Sequence, residues 1–483
     1  MRRLGVAGLV FCALVGVAIP SEASPPAQPV PAPPAADRSG RTGNLIAWVR
    51  SPPIAVPGRE AKHGALLDVV RRRVSAVLGR SGLSRARSIP ELGAVAVGPA
   101  PGQGLARARR ELEADPAVKR VELERYRTLR YLPDDPALSS RDPHAPSSDF
   151  YQWNLRRERF GRAWRRTRGT RARLAVIDTG VDGEHVDLGW QIVYSKGYDY
   201  DGCGGTLEPD CTGPRYDEVG HGTHVAGLAC GAGNNGHGVA GAAFRCKLIV
   251  EKASDSQSLD DSLVAKAIVD AANRRADVIS MSFGGPGASG IIRDALDYAY
   301  RRDVVLVAAA SNGDTNHQGM PARYLQPNGT GDRIRSGKGL VVTAAGHDRR
   351  RAWFRPGHGT GVSLAAYGSA SVACVIRSDC GIFSTFPDNP TAIELGDPVQ
   401  GEPPCGNCRA SFRGSNDFAY LEGTSMATPQ VAGAAALVRS KRPGMDNARV
   451  VRIIKRTASG RRFSNALGWG ILNAGRAVRI AAR

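Results

Sequence analysis

From about residue 150 onward, short apolar, β-branched runs alternate with stretches of helical periodicity. Leu174–Ile177, Lys247–Val250, Val278–Phe283, Val304–Ala309 and Leu340–Ala345 read as strands. His221–Ala229, Ser262–Arg275 and Ile291–Arg302 read as helices. Strands this continuously apolar need cover on both faces, and a parallel sheet between two helical layers supplies it. The expected fold is α/β, a mostly parallel sheet with helices on both faces. In such sheets chemistry collects beyond the carboxyl ends of the strands. Asp178, in LAVIDTGVDGEH, stands at one of those ends.

The chain before residue 150 has a different texture. Arg2 and Arg3 precede an apolar run, and Ser21-Glu22-Ala23 offers small residues for cleavage. Residues 1–24 therefore read as a signal peptide, and the protein as secreted. Cys12 follows bulky Phe11, which argues against a lipid anchor, and no second membrane-spanning run is present. Residues 25–43 are a Pro/Ala-rich linker. Residues 44–132 read as a small α+β domain, with strands at Asn44–Val49, Leu92–Val97 and Val118–Leu123 and helices at Leu66–Leu78 and Gly104–Ala114. Residues 133–149 read as a second linker, and 150–483 as the α/β domain.

Eight cysteines remain after Cys12, an even number that suits an exported protein. Spacing favours Cys203–Cys211, Cys230–Cys246, Cys374–Cys380 and Cys405–Cys408, although sequence alone does not fix connectivity. A zinc site at Cys405-Gly-Asn-Cys408 lacks the second pair it would need. The net charge is +20, from 65 basic and 45 acidic residues. Residues 1–132 hold 21 basic and 10 acidic ones, so about +11 sits in that first part. No basic repeat interleaved with aromatics appears, so no nucleic-acid partner is expected.

Asp178 admits two catalytic readings, one half of an aspartic dyad or the carboxylate that orients a histidine, besides a plain strand-end turn. His221 opens a helix in GHGTHVAGLACG. His221 and His224 lie three apart, whereas a helical zinc pair usually wants i, i+4 and a nearby Glu. Ser425 heads an Ala-rich helix in LEGTSMATPQVAGAAALV, with Pro429 expected in or near its first turn. Ser425 or Thr424 could simply cap that helix. A nucleophile there would gain from the positive helix end and its free N–H groups.

Taken in order, DTGVD, HGTHVAG and GTSMATP resemble the subtilisin-like serine proteases. The resemblance covers about residues 150–483. No second D-T-G or D-S-G exists for an aspartic dyad. The resemblance implies a serine endopeptidase with Asp178, His221 and Ser425 as its triad and Asn312, in VLVAAASNGD, as an oxyanion donor. It implies that peptides bind as an added strand between Ser282-Phe283-Gly284 and the segment of Ser256, with Ala309 and Ala310 lining the P1 pocket. Apolar or aromatic P1 residues are the family's default.

The chemistry needs no cofactor. A structural calcium is implied at Gln152, Asp187, Asn235 and the carbonyls of His237 and Val239. Leu112–Arg125 followed by Tyr151–Leu155 resembles the end of a subtilisin-type propeptide and the start of its mature enzyme. Residues 44–132 would then assist folding and inhibit intramolecularly, with cleavage near Arg130, Tyr131 or Leu132. The implied partners are protein or peptide substrates and the propeptide, and the enzyme is expected to be monomeric. GWGILNAGRAV resembles the end of the family's catalytic domain, so no large domain is expected after it.

Several details depart from the family pattern. Ser311 replaces a Gly before Asn312, Gln430 a His, and Tyr367 the Pro of Ala-Pro-Gly. Leu325–Lys338 and Ser369–Asn416 read as surface insertions. An inactive binding protein would have lost a triad member, and none is lost. A processing enzyme dedicated to one partner would use the insertions for docking.

Overall fold

The computed structural model describes residues 41–50, 84–89, 92–125, 132–198, 213–370, 381–396 and 404–483, with a few positions between 72 and 79. The expected signal peptide, most of the first linker, Cys203, Cys211, Cys374, Cys380 and the cleavage positions Arg130 and Tyr131 lie outside them. The chain divides into two units, Met1–Leu129 and Arg130–Arg483.

In the first unit, β1 (Arg41–Val49), β2 (Ser84–Ile89), β3 (Ala94–Gly98) and β4 (Val118–Arg125) form an antiparallel sheet in the order β2-β3-β1-β4. Alternate residues Leu45, Ala47 and Val49 point into its core, where Ala108 and Leu112 of helix α1 (Leu105–Ala114) meet them. β2, SRARSI, carries no apolar alternation, and sequence reasoning passed over it. Of the helix expected over Leu66–Leu78, the described positions, Arg72 and Ser75–Val77, are helical.

The second unit is the expected α/β fold. Seven strands, β5 (Arg173–Asp178), β6 (Ile192–Gly197), β7 (Lys247–Lys252), β8 (Val278–Met281), β9 (Val305–Ala309), β10 (Gly339–Ala345) and β11 (Leu364–Tyr367), pair in parallel in the order β11-β10-β9-β8-β5-β7-β6. The strand pleat sorts side chains into two cores. Leu174 and Val176 face helices α2 (His221–Cys230) and α5 (Thr424–Lys441). Ala175 and Ile177 face α3 (Asp261–Asn273) and α4 (Gly290–Arg301). Helices α6 (Asn447–Thr457) and α7 (Ala474–Ala481) add to the first layer. The chain's direction across the sheet reverses between β5 and β8, where such folds open a crevice. Among the described residues, no helix is long and apolar enough to cross a membrane.

Three expectations are corrected. β8 stops at Met281, so Ser282 and Phe283 leave the sheet. Pro429 is the sixth residue of α5, beyond the first turn. Its missing N–H frees the Ser425 carbonyl, which accepts from Ser282 Oγ instead (3.0 Å). The segment Ser369–Asn416 is not merely a surface insertion. Its described part supplies β12 (Ile382–Thr385) and β13 (Arg409–Phe412), which pair antiparallel with β14 (Ser415–Leu421), and β12 is buried throughout. That strand, IFST, is four residues long with only two of them apolar, too little to stand out from a loop. Cys230–Cys246 and Cys405–Cys408 are disulfides, as spacing suggested.

Two departures from the family pattern meet in the core. The Tyr367 N–H, which a proline would lack, donates to Oε1 of fully buried Glu158 (3.0 Å). Gln430 Nε2 donates to the carbonyls of Tyr367 and Met426 (2.6 and 2.8 Å), and its Oε1 accepts from Asn154 Nδ2 (2.9 Å). Burial raises the Glu158 pKa well above the ordinary carboxylate value, against the one backbone hydrogen bond that lowers it. Folded Glu158 therefore holds its proton where the unfolded chain has lost it, and stability falls as pH rises from the ordinary value toward the folded one. Glu158→Gln keeps the Tyr367 contact and removes that dependence. Urea unfolding at several pH values is expected to show the variant matching wild type below the ordinary carboxylate value and exceeding it increasingly as pH rises from there toward the folded value, by up to about 1.4 kcal/mol per pH unit.

Candidate active site

Asp178 ends β5 and His221 begins α2. His221 Nδ1 donates to Asp178 Oδ1 at 2.7 Å, and Thr179 N donates to the same oxygen at 2.9 Å. The Asp178 side chain is 3% exposed and that of His221 23%. The two turns are sewn together by Asp217, which sequence reasoning missed. Asp217 is fully buried and accepts from Thr179 Oγ1, Val219 N, Gly220 N, Thr223 N and Thr223 Oγ1. Thr179 Oγ1 in turn accepts from Gly222 N (3.0 Å), and Thr223 Oγ1 from Asp182 N (2.9 Å). This explains the threonines of D-T-G and H-G-T. The turns approach so closely that a β-carbon on Gly222 would fall 2.1 Å from Gly180 O. The available signal for Asp217 was its place four residues before His221.

Burial pushes the His221 pKa down; the charge and hydrogen bond of Asp178, with the charge of Asp217, push it up and prevail. His224 is a different kind of histidine. Burial first, then the charge of His221, pushes its pKa down to about 3. Its Nε2 contacts the carbonyls of Ile382 (2.9 Å) and Ala419 (3.2 Å), so it braces β12 and β14 and is not placed as a metal ligand.

Ser425 is the second residue of α5. Its hydroxyl donates to Ser282 O (2.7 Å), while Ser282 Oγ donates back to Ser425 O. Asn312 Oδ1 accepts from Thr424 N (2.9 Å) and Thr424 Oγ1 (2.8 Å), which turns Nδ2 the other way. Among the described residues, neither Asn312 Nδ2 nor Ser425 N has an acceptor. The point where a β-carbon on Gly423 would fall lies 3.5 Å from both. Two unmatched donors thus converge beside the hydroxyl, an arrangement able to hold a developing oxyanion.

A cavity of about 370 Å³ opens onto this point. Ser282, Phe283, Gly284, Ala309, Ala310 and Asn312, all anticipated from sequence, line it together with Ser425. Ser256 does not line it; its hydroxyl is engaged in a turn with Ser254 and Ser258. His317 also lines the cavity, a residue that sequence reasoning did not single out.

The expected calcium ligands are only partly placed for that role. Gln152 holds Ala240 by both ends of its amide, with Nε2 on Ala240 O and Oε1 on Ala240 N. Buried Asp187 accepts from Asn235 Nδ2 (2.8 Å) and Val239 N (2.9 Å), and Asn235 Oδ1 accepts from His237 N (3.1 Å). Asp135, in the segment read as a linker, is fully buried on the same loop and accepts from Asn234 N with both oxygens. Burial, opposed by backbone hydrogen bonds and aided by the Asp187 charge, pushes its pKa up to about 7. No lysine or arginine lies within ion-pair distance of either carboxylate among the described residues. Two desolvated carboxylates on a Gly/Asn loop fit a hard divalent cation, with Asp135 a better candidate than Gln152.

The sheet, the histidine–carboxylate pair and the serine at a helix N-terminus define a class: the protein is a hydrolase, a serine endopeptidase. The sequence pattern of the Subtilase family matches residues 169–470, and the chain belongs to that family. It is 29% identical over 320 residues to thermitase of Thermoactinomyces vulgaris, covering 66% of this chain and 89% of that one. It is 29% identical over 361 residues to the M-protease of Shouchella clausii, covering 74% and 76%. Among solved structures, a protease from Pseudoalteromonas arctica superposes with a TM-score of 0.57 at 25% identity, over 72% of this chain and 99% of that one. Fervidolysin of Fervidobacterium pennivorans shares the fold at 22% identity, with a TM-score of 0.53 over 90% of this chain and 61% of that one.

Asn312→Ala is expected to lower kcat by about 10²–10³-fold with a much smaller change in KM, because its amide acts on charge that develops after binding. Thr424→Val, which removes one of the bonds orienting that amide, should give a smaller loss of the same kind. Steady-state kinetics on a peptide substrate checks both.

Proposed function

We propose that this chain is a secreted, self-processed endopeptidase that cleaves proteins and peptides through Ser425, His221 and Asp178. The 2.7 Å contact between His221 Nδ1 and Asp178 carries the reading. It fixes the imidazole tautomer and leaves Nε2 free to take a proton. At rest the Ser425 hydroxyl is held on Ser282 O. A substrate strand laid against Ser282-Phe283-Gly284 needs that carbonyl for its own N–H. Its arrival would release the hydroxyl toward His221, so substrate docking and nucleophile activation are one event.

Ser425 Oγ then attacks the scissile carbonyl while His221 takes its proton. Asn312 Nδ2 and Ser425 N stabilise the oxyanion, and Asp178 stabilises the imidazolium. His221 next protonates the leaving amine, and water releases the acyl group by the same steps in reverse. The apolar Ala309 and Ala310 support a preference for uncharged P1 residues.

Residues 1–24 act as the signal peptide and 44–132 as a propeptide that assists folding and then inhibits. The wild-type chain is expected to lose its N-terminal part by cleavage near residues 130–137, whereas Ser425→Ala is expected to remain full length. Intact mass and N-terminal sequencing of the two secreted products decide it. Equal trimming of both would assign maturation to another protease, and trimming of neither would remove the propeptide reading.

Calcium would be held by Asp135, Asp187, Asn235 and the carbonyls of His237 and Val239. When bound it supplies the positive charge that the two carboxylates lack and fastens residues 132–138 to that loop. Chelation is expected to lower the thermal midpoint, and calcium at 100-fold its Kd to restore about 2.7 kcal/mol. Asp135→Asn should show a reduced calcium response in the same melting experiment.

A further inference from the structure

Two adjoining cavities of about 960 and 450 Å³ share Arg452, Arg456 and Arg476 in their walls. Neither has a lining residue in common with the cavity beside Ser425. Arg449, Arg452 and Arg456 recur at i, i+3 and i+7 along α6, which places them on one face. The opposite face, with Val450 and Ile454, is buried in the core. Arg476 of α7 joins this row, and Arg335 and Arg461 enter from loops. Among the described residues, none of these six guanidinium groups has a carboxylate within ion-pair distance.

An ordinary solvated helix face mixes charges at i, i+3 and i, i+4 spacing. Here α6 and α7 contain no acidic residue at all. With Arg483, which also lines the smaller cavity, seven like-charged side chains surround the joined hollows and repel each other, and an anion placed among them relieves that repulsion.

The hollow is also built. The wall that carries Arg335 comes from Leu325–Lys338, the segment additional to the family pattern. Lys455, buried beneath it, donates from Nζ to Ser336 O (2.8 Å), and Trp469 Nε1 donates to Gly331 O (3.0 Å). A buried lysine and a tryptophan thus pin an added loop so that it closes one side of an arginine-lined groove.

We propose that this groove binds a linear phosphate-bearing polyanion. Planar guanidinium forks match phosphate oxygens in pairs, and every cation lining the groove is arginine. A protein partner would ask for an uncharged, aromatic centre, whereas here Trp469 is the single aromatic residue in the lining. The two joined hollows suit a chain running through them better than one compact anion.

The test uses the purified full chain beside the double variant Arg452→Gln, Arg476→Gln. Binding is measured at increasing salt to inorganic polyphosphate, to oligo-dT and to polyglutamate, and turnover of denatured casein is followed in parallel. The expected result is binding of polyphosphate that weakens at least tenfold in the variant, with casein turnover unchanged. For oligo-dT, the slope of log K against log salt should shrink by about 1.4 on losing two phosphate contacts. Binding of polyphosphate alone would assign a flexible inorganic chain, and binding of both probes phosphodiester polymers in general. Equal binding by wild type and variant, no binding near physiological salt, or preference for polyglutamate would each overturn the proposal.

Discussion

The candidate active site depends on a buried carboxylate that never touches the reacting atoms. Asp217 has no basic side chain in ion-pair distance among the described residues, yet five hydrogen bonds converge on it from two turns. Those turns carry Asp178 and His221, and their relative position sets the 2.7 Å contact between the two. The arrangement is costly in desolvation, since burial raises the Asp217 pKa despite all five donors. The converging donors offset part of that cost, and the same charge also favours a protonated His221. Gly180 and Gly222 are part of the device, because only chains without β-carbons can bring these turns so close.

Two of the departures from the family pattern, Tyr367 and Gln430, meet in one buried hydrogen-bond network. Tyr367 offers a backbone N–H that a proline could not, and Glu158 accepts it. Gln430 then reaches the Tyr367 carbonyl on one side and Asn154 on the other. Asn154 and Glu158 of one helical turn, Tyr367 and Gln430 come from three separate places in the chain and meet in one buried cluster. In such a cluster, losing one partner strands the others' polar groups away from water.

The parallel sheet was legible because its strands are apolar on both faces and β-branched. Sequence bounds for β5, β7, β9 and β10 fall within two residues of the observed ones. β2, β6 and β12 escaped notice for opposite reasons. SRARSI and IVYSKG are too polar, and IFST is only four residues long. Asp178, His221, Ser425 and Asn312 were legible because each sits in a motif of small residues. Asp217, Asp135 and His317 were not, since a lone acidic residue or histidine in a loop carries no local pattern. What distinguishes the two aspartates is burial and convergence across long separations, and what distinguishes His317 is its place on the cavity wall, all of which only the folded chain displays. The same holds for the arginine groove: its spacing along α6 is visible in the sequence, but its far wall comes from a loop more than a hundred residues earlier.

Charge in this protein is distributed for a purpose other than peptide-bond cleavage. The lining of the cavity beside Ser425 contains no lysine, arginine, aspartate or glutamate, and the proposed recognition of a strand there runs through main-chain groups. Such a site needs no net charge, yet the chain carries +20. About +11 of that lies in residues 1–132, which the proposed maturation would remove, and +20 less +11 leaves about +9. Much of the remainder gathers around α6 and α7, outside the substrate cavity. A polyanion held there would fix where the enzyme works without entering the cleft that decides what it cuts. Surface charge is free to vary on this fold because the proposed catalysis draws on main-chain donors, the Asn312 amide and the shielded carboxylates Asp178 and Asp217, and an added loop pinned by Lys455 would be enough to turn that freedom into a second site.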